Sequence, residues 1–146
     1  MPIREASLDE VRSVTEFMKN FEGATQFVKV DVDHAVNKYK GMISNGNGHM
    51  FILEDDNGKM IGGLGCVVGD DLHFPRKIAI ETYWFVHPDN RGEGLSLLRY
   101  FEQWAKDNGC DAVAMIHLTD SMPETLDRLY TRRGYKMIER HYIKEV

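Results

Sequence analysis

The chain has 146 residues, the size of one compact domain, with 42% hydrophobic and 28% charged side chains; this excludes a disordered or low-complexity protein and supplies apolar material for a core of ordinary density. Eighteen basic against 23 acidic side chains give a formal charge of −5, which disfavours nucleic acid as a partner and favours a cationic small molecule or a lysine-bearing peptide. No apolar run reaches the roughly 18 residues of a membrane span, the opening Met1-Pro2-Ile3-Arg4-Glu5 lacks a signal-type apolar stretch, and two cysteines, Cys66 and Cys110, make neither a disulfide framework nor a zinc site, so a reducing cytoplasm without membrane association is expected.

A short strand over 2–6 is followed by Ser7 and Glu10 at capping-box spacing, and Leu8, Val11, Val14, Met18 and Phe21 then recur at helical intervals. Asp31 opens a second helix whose stripe (Val32, Ala35, Val36, Tyr39, Met42, Ile43) ends at Asn45-Gly46-Asn47-Gly48. Strands over 50–53 and 60–68 flank Asp55-Asp56-Asn57-Gly58, a hairpin turn. After a polar connection over 69–77, a strand over 78–87 puts Ile78, Ile80, Thr82, Trp84 and Val86 on one face and Glu81, Tyr83 and Phe85 on the other; Pro88, with no amide hydrogen, stops it.

A glycine-bearing loop, 89–94, leads into a helix with Leu97, Leu98, Phe101, Trp104 and Ala105 on one side, closed by Asn108-Gly109. A buried strand over 112–118 follows. Ser121 and Glu124 repeat the capping-box spacing before a short helix carrying Leu126, Leu129 and Tyr130, stopped by Gly134, and a last strand covers 135–144. Alternating strands and helices, with no repeat and no dividing linker, read as one α/β (α+β) domain over 1–146 built on a central sheet.

The stretch Pro88-Asp89-Asn90-Arg91-Gly92-Glu93-Gly94-Leu95-Ser96 joins a strand to a helix. Glycines at 92 and 94 let the backbone turn so that several amides converge near a helix N-terminus, a site for phosphate or pyrophosphate, with Arg91 adding positive charge. No Gly-Lys-Ser/Thr follows, so it is not a Walker loop, and the glycine spacing is not that of a dinucleotide fingerprint. By itself the pattern also suits a plain tight turn.

The order of elements, with Val86-His87-Pro88-Asp89-Asn90-Arg91-Gly92-Glu93-Gly94 and, later, Leu129-Tyr130-Thr131-Arg132-Arg133-Gly134-Tyr135, resembles the GNAT superfamily of acetyl-CoA-dependent N-acetyltransferases over 3–144. Within it, Glu81-Thr82-Tyr83-Trp84-Phe85-Val86 and the segment 135–144 look like the small bacteriophage-encoded members. The resemblance implies a mixed, mostly antiparallel sheet splayed between strands 78–87 and 112–118 and flanked by about four helices, with acetyl-CoA as cosubstrate in the gap. It implies that the amides of Arg91, Gly92, Glu93, Gly94, Leu95 and Ser96 hold the pyrophosphate, and that backbone near Phe85 and Val86 pairs with the pantetheine arm. Ser96 departs from the usual Gly or Ala; serine is small and adds a hydroxyl donor.

Acetyl transfer to an amine needs a neutral nucleophile, yet an alkyl ammonium with a pKa near ~10.4 is almost wholly protonated at pH 7. A positioned carboxylate accelerates that deprotonation, and Glu81 on the cofactor strand is the candidate, a substrate-binding or ion-pair role being its alternative and a β-bulge able to change its direction. Tyr130 matches the tyrosine that, in many members, protonates the departing thiolate; a core tyrosine is the other reading. A backbone N–H near Val86 would meet the thioester oxygen. His87, at the loop edge, is a second candidate base; the remaining five histidines lack metal-ligand spacing. The acceptor is a small-molecule or protein amine, a non-catalytic acyl-CoA-binding or regulatory module is the rival reading, and the edge strands leave pairing into a homodimer open.

Overall fold

A computed structural model describes residues 2–146. The chain divides into two compact units, one running through Ile116 and the other His117–Val146. The first holds β1 (Ile3–Glu5), α1 (Val11–Met18), α2 (Val32–Ser44), β2 (Gly48–Glu54), β3 (Met60–Asp70), β4 (Lys77–Val86), α3 (Gly94–Asp107) and β5 (Ala112–Ala114); α4 (Pro123–Arg132) lies in the second.

The sheet order is β1-β2-β3-β4-β5, antiparallel except for the parallel β4–β5 pair. The mixed, mostly antiparallel α+β sheet expected from the sequence is therefore present. The β2–β3 turn forms as its residues dictate: Asp55 Oδ1 accepts the amides of Asn57 and Lys59, each at 2.9 Å, and Gly58 takes φ +77°. β2 is covered on both sides. Met50 and Ile52 pack with Val14, Met18, Val36 and Tyr39 of α1 and α2, while Phe51 and Leu53 pack with Leu97, Phe101 and Ala105 of α3. Alternation along one strand thus feeds two cores.

Asp31 caps α2 by accepting the His34 amide at 2.9 Å. The capping box expected at Ser7 and Glu10 does not form. Arg4 Nη1 donates to both oxygens of the Glu10 carboxylate at 2.8 and 2.9 Å and Ser7 Oγ donates to the same carboxylate at 3.2 Å, so no side chain caps the helix and it starts through a 3₁₀ turn over Leu8–Glu10; a charged guanidinium outcompetes a neutral amide for the carboxylate. The expected first helix also stops early, α1 giving way after Met18 to a 3₁₀ turn, Lys19–Ala24.

The face assignment for β4 is corrected by a β-bulge. Tyr83 pairs with Gly65 and Glu81 with Cys66, leaving Thr82 as the extra residue. Ala79 lies in the core beneath α3, where Glu81's partner Cys66 also sits, and Trp84 and Val86 return to that core after the bulge, whereas Tyr83 joins the α1/α2 core. Tyr83 lies across the glycines of β3: a Cβ on Gly65 would fall 2.4 Å from its ring.

In the second unit, taken by itself, α4 begins at Pro123 behind Met122, whose φ is +48°, with no side-chain cap, so the second capping box is also absent. The helix closes on Gly134 (φ +86°), with Gly134 N donating to Thr131 O at 3.1 Å and Tyr135 N to Tyr130 O at 2.9 Å. The strand expected over 135–144 is not an element of this unit, because a strand needs a ladder partner and α4 is its only regular element. The strand expected over 112–118 is shortened to Ala112–Ala114.

Candidate active site

The site grows from the way β4 and β5 part. Their ladder is three pairs long, Ile78 with Ala112, Ala79 with Val113 and Ile80 with Ala114, while β4 runs on to Val86. The gap expected between these strands begins immediately after Ile80. The next residue, Glu81, puts its carboxylate where the ladder would have continued: Oε2 accepts the Ile116 amide at 2.8 Å. Glu81 is 6% exposed, and burial pushes its carboxyl up to about 7 against the opposing pull of the Ile116 hydrogen bond.

Beyond the bulge the backbone itself is organised. His87 donates its amide to Ile61 O at 2.8 Å on β3. By the alternation of an antiparallel ladder, Phe85 turns its backbone groups to β3 as well, and Val86 turns its amide and carbonyl to the opposite edge, where β5 no longer pairs. Of the two residues expected to meet a pantetheine arm, Val86 presents its backbone to the opened edge and Phe85 presents its own to β3. Phe85 contributes a side chain, held edge-on by Phe17 and Phe21 with ring centroids at 5.8 and 5.9 Å.

The strand then enters the expected phosphate loop. Pro88–Glu93 is a 3₁₀ turn broken at Asn90, and α3 begins at Gly94, so the cradle is helical earlier than its glycines suggest. Its residues fit a diphosphate. The first turn of α3 carries no acidic residue, although the residue at its N-cap is Glu93, which makes no side-chain cap; the Gly94 amide donates to Arg91 O within the 3₁₀ turn, and a Cβ on Gly92 would meet nothing within 4 Å, so the surface there is open. Arg91 and Gly92 are exposed, and Leu95 and Ser96 half-buried. His87 Nδ1 accepts the Asp89 amide at 3.4 Å, which gives this histidine a capping task at the loop.

The first unit thus gathers Glu81, Val86 and 91–96 along one strand and the helix after it. Tyr130 lies on α4 of the second unit, buried at 9% exposure, its ring 5.4 Å from that of Tyr135. Sequence reasoning missed two participants. Ile116, as the amide partner of Glu81, carries no residue-type signal. The Tyr39 hydroxyl, 2.7 Å from Thr82 Oγ1 on the bulge, would have needed the bulge position. Among the described residues no group of three or more His, Cys, Asp and Glu could hold a metal ion, and no helix is long and apolar enough to cross a membrane.

The five-stranded mixed α+β sheet that opens beside a strand–turn–helix loop is shared by solved structures. A putative acetyl transferase from Pyrococcus furiosus superposes with a TM-score of 0.77 at 18% identity, covering 99% of each chain. AAC(6')-Iy, in complex with the bisubstrate analogue CoA-S-monomethyl-acetylneamine, gives 0.77 at 16% identity over 99% of this chain and 97% of that one. A transcriptional regulator from Bacillus halodurans C-125 gives 0.79 at 17% over 99% of each. No curated protein sequence matches the chain. The sequence pattern of the acetyltransferase (GNAT) family matches residues 12–135. The chain belongs to the GNAT family of N-acetyltransferases, enzymes that use acetyl-CoA and acetylate amines.

Proposed function

We propose that residues 1–146 form one catalytic domain that moves acetyl from acetyl-CoA to a primary amine by direct attack in a ternary complex. The observation that carries this reading is the buried Glu81 carboxyl, raised to about 7, at the point where β5 leaves β4. Acetyl-CoA supplies the activated acyl group. The amides and Arg91 side chain of 91–96 bind its diphosphate, with the Ser96 hydroxyl as an added donor. The Val86 backbone orients the pantetheine arm and polarises the acyl carbonyl. Glu81 takes the proton of the acceptor ammonium, and the Tyr130 hydroxyl gives its proton to the departing thiolate. We assign the chain to the cytosol and, through 81–86 and 135–144, to the small bacteriophage type.

A thiol-release assay with acetyl-CoA and a panel of amines tests the proposal. Tyr130→Phe and Glu81→Gln should each lower kcat by about 10²-fold and leave coenzyme A affinity within about threefold. A non-catalytic acyl-CoA-binding or regulatory module is the second reading, favoured by the shared fold of the Bacillus halodurans regulator. It requires bound coenzyme A, no thiol release with any amine, and no change of behaviour in Tyr130→Phe.

A further inference from the structure

Tyr39 touches two consecutive residues of β4, which a regular strand would send to opposite faces. Its hydroxyl lies 2.7 Å from Thr82 Oγ1 in a hydrogen bond, and its ring stands edge-on to that of Tyr83, centroids 6.2 Å apart at 89°. Thr82 is the extra residue of the bulge, and Tyr83 resumes the ladder opposite Gly65. The facing strand leaves room for both: a Cβ on Gly65 would fall 2.7 Å from Thr82 Oγ1 and 2.4 Å from Tyr83 Cε1. Tyr39 is itself anchored on α2 beside Val36, in the core that also holds Tyr83. Burial pushes its phenol up to about 12, so the hydroxyl stays protonated across the neutral range. Glu81 comes immediately before the pair, and its carboxylate accepts the Ile116 amide where β5 leaves β4.

We propose that Tyr39 is a positioning residue: by clasping Thr82 and Tyr83 on one face of the sheet it fixes the bulge, and through the bulge the direction in which Glu81 reaches Ile116. A bulge leaves one residue outside the ladder, and a shift of one position would carry the acid to the other face. The hydrogen bond ties the extra position to Thr82, because a buried hydroxyl turned away from its partner is costly. Tyr39 packs on the face away from the acid and acts on it through the strand. The consequence for turnover rests on the acetyl-transfer reading; the consequence for Glu81 does not.

NMR of the folded protein tests the clasp without turnover, because the Ile116 amide resonance reports the carboxylate it donates to. In the wild type it should move with pH as Glu81 titrates at about 7. Cys66 on β3 and Tyr39, beside Glu81, are both pushed to about 12 by burial and stay uncharged there. Whatever His117, next in the chain, contributes persists in Glu81→Gln and is subtracted. Tyr39→Phe and Thr82→Val, each removing one hydroxyl, should shrink the Glu81-dependent movement by about half or more, and Thr82→Ser, which keeps the hydroxyl, should retain it. In the thiol-release assay the first two should lower kcat about 10-fold with the KM for acetyl-CoA within about threefold, and Thr82→Ser should match the wild type. A full-sized movement in both Tyr39→Phe and Thr82→Val overturns the inference, as does equal loss in Thr82→Ser and Thr82→Val. Movement lost in Tyr39→Phe and Thr82→Val, in a protein whose wild type releases no thiol with any amine, leaves the clasp standing and removes the transferase reading instead.

Discussion

Glu81→Gln separates the electrostatic cost of the buried carboxyl from its packing. In the folded chain the group titrates at about 7, against an ordinary value of 4.5. A raised acid binds its proton more tightly in the native state, so its contribution is full below pH 4.5 and declines as pH climbs through 7. At about 1.4 kcal/mol per unit, the shift corresponds to about 3 kcal/mol lost between pH 4 and pH 8. Glutamine keeps the oxygen that receives the Ile116 amide and resembles the protonated acid, so any constant offset from its extra donor cancels when slopes are compared. Urea unfolding of both proteins across this range should show their stability difference moving by about 3 kcal/mol in favour of the variant towards alkaline pH, equivalent to roughly 6–12 °C in Tm. Parallel profiles would mean that Glu81 ionises in the fold as it does in water, and the proposed proton acceptor would lose its tuning.

Gly65→Ala places a Cβ 2.4 Å from Tyr83 Cε1 and 2.7 Å from Thr82 Oγ1, whereas at Gly69 nothing lies within 4 Å; denaturant midpoints should show a loss of about 1–3 kcal/mol for the first and less than about 1 for Gly69→Ala. Phe51, fully buried against Tyr100, Phe101 and Trp104, should cost about 3–5 kcal/mol as alanine in the same assay. Arg4 bridges Glu10 and Glu54, but its side chain is 45% exposed, so Arg4→Ala should cost no more than about 1 kcal/mol, with an effect that shrinks in high salt.

Elements whose signals are local were legible in the sequence. The Asp55–Gly58 turn, the Asp31 cap and the glycine closing α4 each satisfy their own backbone within a few residues, and each lies where spacing places it. The join from β4 through Pro88 into α3 was legible for the same reason. What escaped depends on partners distant in the chain. Ser7 looked like a cap until Arg4 claimed Glu10, and the alternation of β4 looked regular until its register with β3 revealed the extra Thr82. The shortening of β5 follows from Glu81 accepting an amide 35 residues away, a contact that no pattern of residue types encodes. Glu81 was identifiable as a candidate by type and strand; its direction and its raised titration were not, because both follow from that same distant contact.

The bulge at Thr82 works as a phase change. Upstream of it odd-numbered side chains lie under α3; downstream even-numbered ones do, so one continuous strand serves two opposed surfaces with a single supernumerary amino acid. Deleting Thr82 would restore a uniform rhythm and force a choice: keep Val86 and Trp84 seated and swing the acid to the other side of the sheet, or keep the acid and expel the aromatic pair Tyr83 and Phe85 from theirs. Length along this strand is therefore constrained more tightly than side-chain identity at position 82 itself.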